Sequence, residues 1–205
     1  MAVKPKRLPT LERLMKGRRS IRKYLRKRIS KAMLTRVLKA AYYAPSGADR
    51  SGYQLVVVGD PKIKSEIRES CEAADATWHS NATPWLKKWL KMKGITHIKP
   101  FLDDAPYLIC VFGDNTTPYW LGSTWLGVAY MLLAAEREGL ATLTYTPGKS
   151  RFLQKLLNVK SHMIPIVILP IGFADERIPA KRIKRGTIVY FDRVSKKQGM
   201  DLGAS

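Results

Sequence analysis

The chain has 205 residues, 45% hydrophobic and 26% charged, with 37 Lys/Arg against 16 Asp/Glu and a formal charge of +21. That length fits one domain with short arms, and the hydrophobic fraction is enough for a packed core, so general disorder is excluded. Two cysteines, Cys71 and Cys110, cannot form a disulfide scaffold, and three histidines without a Cys/His cluster argue against any metal site.

Leu34, Val37, Leu38 and Ala41 fall at helical spacing, and Pro45-Ser46-Gly47 stops that helix. Residues 55–58 are an apolar, β-branched run that reads as a buried strand. Asp60-Pro61 reads as a helix start, with Asp60 as N-cap, Pro61 at the first helical position, and Ile63 and Ile67 as the buried stripe. Residues 78–94 are polar, aromatic and irregular, and suit a mobile cover better than a core. Residues 107–112 predict the next strand. Trp125, Val128, Ala129, Leu132 and Leu133 predict an amphipathic helix that ends at Gly139. Residues 142–146 read as a strand, 151–157 as a short helix, 164–171 as a buried strand and 188–191 as a last strand. Helices first, then strands unevenly separated by helices, predict an α+β fold with a mostly antiparallel sheet. No GxGxxG follows a strand and no P-loop motif is present, which removes Rossmann and P-loop readings.

The opening residues carry charge with no apolar run behind it, so no signal peptide is expected. The most apolar stretches, 119–135 and 163–174, hold Gly122-Ser123-Thr124 and Pro165 with Pro170, and neither reaches the ~20 apolar residues of a spanning helix. The expectation is a cytoplasmic protein with reduced cysteines and no membrane partner. Residues 1–40 hold fifteen Lys/Arg and one acid, Glu12; residues 175–199 hold eight against Asp175, Glu176 and Asp192. Such ends can converge on one anionic group, form a sequence-blind footprint on nucleic acid, or stay solvated surface.

Arg18-Arg19-Ser20-Ile21-Arg22 gathers charge-assisted donors of the kind a phosphate monoester needs; a solvated basic helix start has the same composition. Pro45-Ser46-Gly47-Ala48 is a small-residue turn that lets backbone N–H groups approach a flat ligand. Arg182, Lys184 and Arg185 can close a phosphate site or form a solvated run.

RRSIRKY, AAYYAPSGA ahead of the 55–58 strand, DDAPYLICVF, GLATLTYTP, LPIGFADE and KRIKRG together resemble the FMN-dependent nitroreductase superfamily, in its order and spacing, over residues 18–191. Within it the chain is most similar to the iodotyrosine deiodinase branch. The resemblance implies an α+β fold, a mostly antiparallel sheet flanked by helices, and an intertwined homodimer with FMN at the subunit interface. It implies a basic arm over 1–17, an FMN-binding domain over 18–193 and a tail over 194–205. Arg18, Arg19, Ser20 and Arg22 would hold the FMN phosphate and ribityl chain. Ser46, Gly47, Thr144 and Tyr145 would lie with the cofactor, and Lys184, or else Arg182 or Arg185, would take the late basic phosphate position. Thr146 would set a hydroxyl against flavin N5, where a donor favours one-electron steps. The branch also implies a substrate lid: Asp75 for an ammonium, His79 as a further contact, Lys99 for a carboxylate, with the Ala48 N–H toward a phenolate. Asp75 and His79 stand where the branch carries Glu and Tyr. Being four residues apart, they share a face on a helix. Asp49, Ser51, Gly52 and Tyr53 replace the Asn, Gln, Pro and Trp common in the wider family.

The activity implied is electron transfer from NAD(P)H through FMN to an electron-poor aromatic or quinone. Reductive dehalogenation of a halotyrosine-like zwitterion stands second. A basic nucleic-acid-binding protein on a degenerate flavin scaffold is the reading from another class.

Overall fold

The computed structural model describes residues 9–179, 187–193 and 196–201. Capping chemistry sets most helix starts. Thr10 caps α1 (Leu11–Gly17), and Ser30 caps α2 (Lys31–Ala41) by accepting the Met33 N–H at 3.2 Å. After β1 (Tyr53–Val58), Asp60 accepts the Lys62 and Ile63 N–H groups at 2.8 and 3.0 Å, Pro61 takes the first turn, and α3 (Pro61–Ser80) follows. Next come α4 (Pro84–Met92), α5 (Phe101–Asp104), β2 (Tyr107–Asp114), α6 (Trp120–Arg137), β3 (Ala141–Thr142), α7 (Phe152–Leu156) and β4 (Met163–Gly172). A hairpin of β5 (Thr187–Arg193) and β6 (Lys196–Asp201) closes the described chain.

The sheet is antiparallel throughout, in the order β1-β2-β4-β3. Alternation along β2 divides the core in two. Leu108, Cys110 and Phe112 face Ile67, Cys71 and Phe101 on one side, while Ile109 and Val111 face Val37, Val128 and Met131 on the other. Helices therefore cover both faces, as the α+β expectation requires. Two prolines interrupt β4 without breaking it. Pro165 sits where the β2–β4 register shifts between Val111 and Phe112, a position where a missing N–H is tolerated.

Three expectations are corrected. Residues 78–94 are largely helical: α3 continues to Ser80, and Thr83, Pro84 and the inward pair Leu86 and Leu90 give α4 its cap, first turn and stripe. Of the predicted 142–146 strand only Thr142 lies in a strand, at the end of β3, and Tyr145 makes an isolated bridge. Thr142 pairs with Ile171 and Tyr145 with Ile168 in one continuous register, so Leu143 stands opposite Pro170. Pro170 has no N–H to donate there, and the ladder breaks at that step. The last strand spans 187–193 and pairs with β6, which the sequence reading left inside a tail. Among the described residues no helix is long and apolar enough to cross a membrane.

The basic segment after α1 is laid along the sheet edge by backbone bonds. Ile21 N–H donates to Thr142 O at 3.1 Å, Leu25 N–H to Phe173 O at 2.9 Å and Asp175 N–H to Lys23 O at 2.9 Å. Gly172 lies under this seam, where a Cβ would meet Pro106 Cδ at 2.7 Å and Tyr24 Cδ1 at 2.8 Å. Both neighbours are ring atoms with little freedom to yield. Gly172→Ala is expected to lower unfolding free energy by about 1–3 kcal/mol, read from the urea midpoint, whereas Gly122→Ala, which meets nothing within 4 Å, stays near wild type.

Candidate functional site

Asp75 sits three-quarters of the way along α3 and is buried. A carboxylate there needs partners from its own chain, and it has three. Lys99 Nζ stands 3.1 Å from Oδ2, the Tyr145 hydroxyl donates to Oδ2 at 2.9 Å, and the Gly148 N–H donates to Oδ1 at 3.1 Å. Lys99 is itself held: its N–H donates to Glu72 Oε1 at 2.7 Å, and its ammonium also donates to the Thr96 carbonyl. Lys99 Nζ lies 5.8 Å from the Tyr145 ring centroid, and Phe101 packs edge-on against that ring at 5.5 Å.

His79, one turn beyond Asp75, packs edge-to-face with Trp78 at 5.3 Å and with His97 at 6.3 Å. Burial lowers its pKa from 6.5, Lys99 and His97 push the same way, and Asp75 opposes them. The imidazole is therefore neutral near pH 7. Burial likewise raises the Tyr145 hydroxyl, with Cys71 and Asp75 adding to it, so that group stays a proton donor to Asp75. Burial pushes the Cys71 thiol up to about 12, which keeps it an inert core sulfur.

The fold thus brings Asp75, His79, Lys99 and Tyr145 together. Thr144 is half-buried beside them, and Thr146 is exposed. Ser20 bridges to Thr142, which places the basic segment at the same edge. Arg19 is committed to backbone, donating to Pro179 O at 2.8 Å and to Arg18 O at 2.6 Å. Among the described residues, the Arg18 and Arg22 guanidiniums make no hydrogen bond or ion pair. Glu176 enters this basic group by accepting the Lys23 N–H at 3.2 Å, and burial raises the carboxyl of nearby Glu136 against the pull of Arg18 and Arg19. Arg182, Lys184 and Arg185 lie outside the described residues.

The Pro45–Ala48 turn is elsewhere. Gly47 N–H donates to Ser123 Oγ at 3.0 Å near the start of α6, and a Cβ on Gly47 would fall 2.6 Å from the Tyr119 ring. Gly17, next to Arg18, instead approaches Glu136 Oε1 within 2.8 Å of where its Cβ would be, at the far end of α6. Ser123 and Glu136 are thirteen residues apart, which at ~1.5 Å each puts the two contacts roughly 20 Å apart along the helix. One chain therefore does not bring Ser46 and Gly47 to Arg18 and Arg22. Ala48 and Asp49 hold φ of 53° and 54°, and none of the turn's bonds uses the Ala48 N–H. Such left-handed backbone costs ~1–2 kcal/mol per residue and collects at functional turns.

Glu72, Ser123, Gly148 and Glu176 were missed by sequence reasoning. Only Glu72 left a signal, its three-residue spacing from Asp75 on a helix.

The model of the Nitroreductase family matches residues 15–173. The iodotyrosine deiodinase of Thermotoga neapolitana is 40% identical over 166 residues, covering 81% of this chain and 89% of the relative. Iodotyrosine deiodinase 1 of Rattus norvegicus is 32% identical over 189 residues, 85% of this chain and 66% of the relative. Among solved structures, oxidized iodotyrosine deiodinase bound to FMN and 3-iodo-L-tyrosine superposes with a TM-score of 0.84 at 38% identity, covering 90% of this chain and all of that one. A Bacteroides fragilis nitroreductase with bound FMN shares the fold, with a TM-score of 0.72 at 22% identity over 90% of this chain and 100% of that one.

Removing one member of a buried pair leaves the other charge stranded. Asp75→Ala is expected to cost about 3–5 kcal/mol in urea unfolding, while Asp75→Leu combined with Lys99→Met recovers most of the loss. A loss below about 1 kcal/mol would mean that the pair is solvated like an exposed one.

Proposed function

This chain belongs to the nitroreductase family, and we propose that it is an FMN-dependent reductase whose substrate is a halotyrosine-like zwitterionic phenol, reductively dehalogenated. The sequence reading ranked general reduction of nitroaromatics and quinones first; the deiodinase relatives reverse that order. The observation that carries the substrate is the pairing of Asp75 with Lys99, each 10% exposed. A zwitterion offers an ammonium and a carboxylate, and it can exchange partners with this pair without leaving either charge unpaired. Neutral His79 stands alongside as a hydrogen-bond partner.

The donor set fits FMN. Arg18 and Arg22 carry guanidiniums uncommitted among the described residues, on a segment pinned to the sheet edge, which suits a phosphate monoester. Bound FMN would supply the electrons. Our reading has NAD(P)H as their source. In the overall conversion two electrons and one proton replace the carbon–halogen bond by carbon–hydrogen and release halide. Arg18 and Arg22 bind and orient, Thr146 presents its hydroxyl at the exposed end of its segment, and Lys99 and Asp75 hold the amino-acid end.

A homodimer is part of this reading. Ser46 and Gly47 lie well along α6 from Gly17 and Arg18, and a second copy would bring both sets to one ligand. The outer face of α6 suits that role: Leu121, Trp125, Leu126 and Tyr130 are exposed, with Tyr119 at its start, and no charge lies between Tyr119 and Ala135.

Arg18→Ala with Arg22→Ala is expected to weaken FMN binding by about 1.5–3 kcal/mol per guanidinium, measured by titrating apoprotein with FMN. Undiminished flavin affinity would refute the phosphate assignment. Lys99→Met is expected to abolish turnover of iodotyrosine while keeping that of nitrofurazone, which serves as the control for folding and flavin content. Equal loss on both substrates would remove Lys99 from substrate recognition.

A further inference from the structure

Among the described residues, two apolar surfaces are open to solvent, and they differ in charge. The outer face of α6 has none. The other surface is α4, and it is strongly basic. Leu86 and Leu90 turn that helix inward, Leu90 being 5% exposed. Trp85, Trp89 and Met92, spaced i, i+4 and i+7, form a second apolar stripe that is not covered, with exposures of 72%, 36% and 69%. Trp78, Ile95 and Ile98 extend it on flanking chain, and all three are exposed.

The polar side of the same helix is made only of lysines. Lys87, Lys88 and Lys91 are exposed along it, Lys93 follows at its end, and no Asp or Glu occurs from residue 76 to residue 102. The nearest carboxylates on α3 are taken: Asp75 is buried against Lys99 and Tyr145, and Glu72 accepts the Lys99 N–H. None of the ion pairs among the described residues involves an α4 lysine. Gly94 at φ 61° and the Ile95 N–H to Leu90 carbonyl bond of 3.0 Å end the helix, so stripe and lysines sit on one short, rigid element.

From this charge pattern we propose that α4 is a docking surface for anionic phospholipid bilayers. Tryptophan prefers the water–hydrocarbon boundary, and methionine and isoleucine beside it would enter the acyl edge. Lysines flanking such a stripe meet the headgroup phosphates of anionic lipid. A second copy of this chain is a poor occupant, because two such helices would bring like charges together. Nucleic acid would use the lysines and could stack on the tryptophans, but it leaves Met92, Ile95 and Ile98 unaccounted for. The basic first forty residues add long-range attraction of the same sign. This is contact with a surface, distinct from crossing it.

The test is co-sedimentation of the full chain, as purified, with phosphatidylcholine vesicles and with vesicles of equal parts phosphatidylcholine and phosphatidylglycerol. Binding is expected to be at least about tenfold tighter on the anionic vesicles and to weaken with added salt. Tryptophan emission should shift to shorter wavelength on binding. Trp85→Ser with Trp89→Ser, and separately Lys87→Gln with Lys88→Gln and Lys91→Gln, should each reduce binding about tenfold with the thermal midpoint unchanged. Equal binding to both vesicle types would overturn the proposal, as would vesicle binding that survives both variant sets, since the basic ends would then be responsible. Random-sequence duplex DNA bound more tightly than anionic vesicles, with the same lysine dependence, would replace it with a nucleic-acid surface.

Discussion

A single carboxylate ties the candidate site to the rest of the fold. Asp75 leaves α3 inside the protein, where an unpaired charge is untenable, so its neighbours are fixed by that need. Its two oxygens engage Lys99 from the segment before α5, the Tyr145 hydroxyl from the chain after β3, and the Gly148 N–H of the following turn. Two segments distant in sequence, around Lys99 and around Tyr145–Gly148, are thereby held to one helix. Lys64, a few turns earlier on α3, repeats the device with backbone: its ammonium donates to the Asp103 and Ala105 carbonyls at 2.7 Å each. Both lysines fasten the residues around α5, one at each side of it.

The length of α6 is the second constraint. It separates the turn at Ser46 and Gly47, held at Ser123, from the basic segment at Arg18, whose neighbour Gly17 lies against Glu136. An uncharged outer face along that same helix suits the proposed homodimer, because it could meet its own copy without burying charge. The surface of α4, with lysines spaced through it, lacks that option. Charge, more than hydrophobicity, divides the two exposed faces between different kinds of partner.

Much of the fold was legible because its signals are local. Asp60-Pro61 announces α3 by capping chemistry, and Gly139 closes α6 at φ 73° with Leu140 N–H bonded to Ala135 O at 2.8 Å. The two central strands are apolar runs that nothing else explains. Part of what failed was not local. The break after Thr142 comes from Pro170, twenty-eight residues away on the partner strand, and no window around Thr142 contains it. α4 was hidden by its own composition: outward tryptophans blur the helical stripe that Leu86 and Leu90 carry. In the site, the spacing of Asp75 and His79 could be read from a helix, but the bond from Tyr145 to Asp75 could not, since it joins elements seventy residues apart.

Asp75 also shows how a small departure changes a site's balance. The resemblance implies Glu at that position, one methylene longer. An aspartate keeps its carboxylate nearer the α3 axis, within reach of Tyr145 and Gly148, and those two donors hold it whether or not a ligand arrives. An ammonium must therefore compete only for the face of the carboxylate that Lys99 occupies. On the proposed reading the exchange would be isoelectric: one cation would leave the carboxylate as another came, and the freed Lys99 would meet the ligand's own carboxylate. Because the surrounding dielectric is low, each half of that exchange is large, and only a ligand carrying both charges leaves neither uncompensated. A neutral nitroaromatic leaves the Asp75–Lys99 pair closed. On the proposed reading the pair selects the amino-acid end of a ligand, while a neutral substrate is turned over with the pair closed.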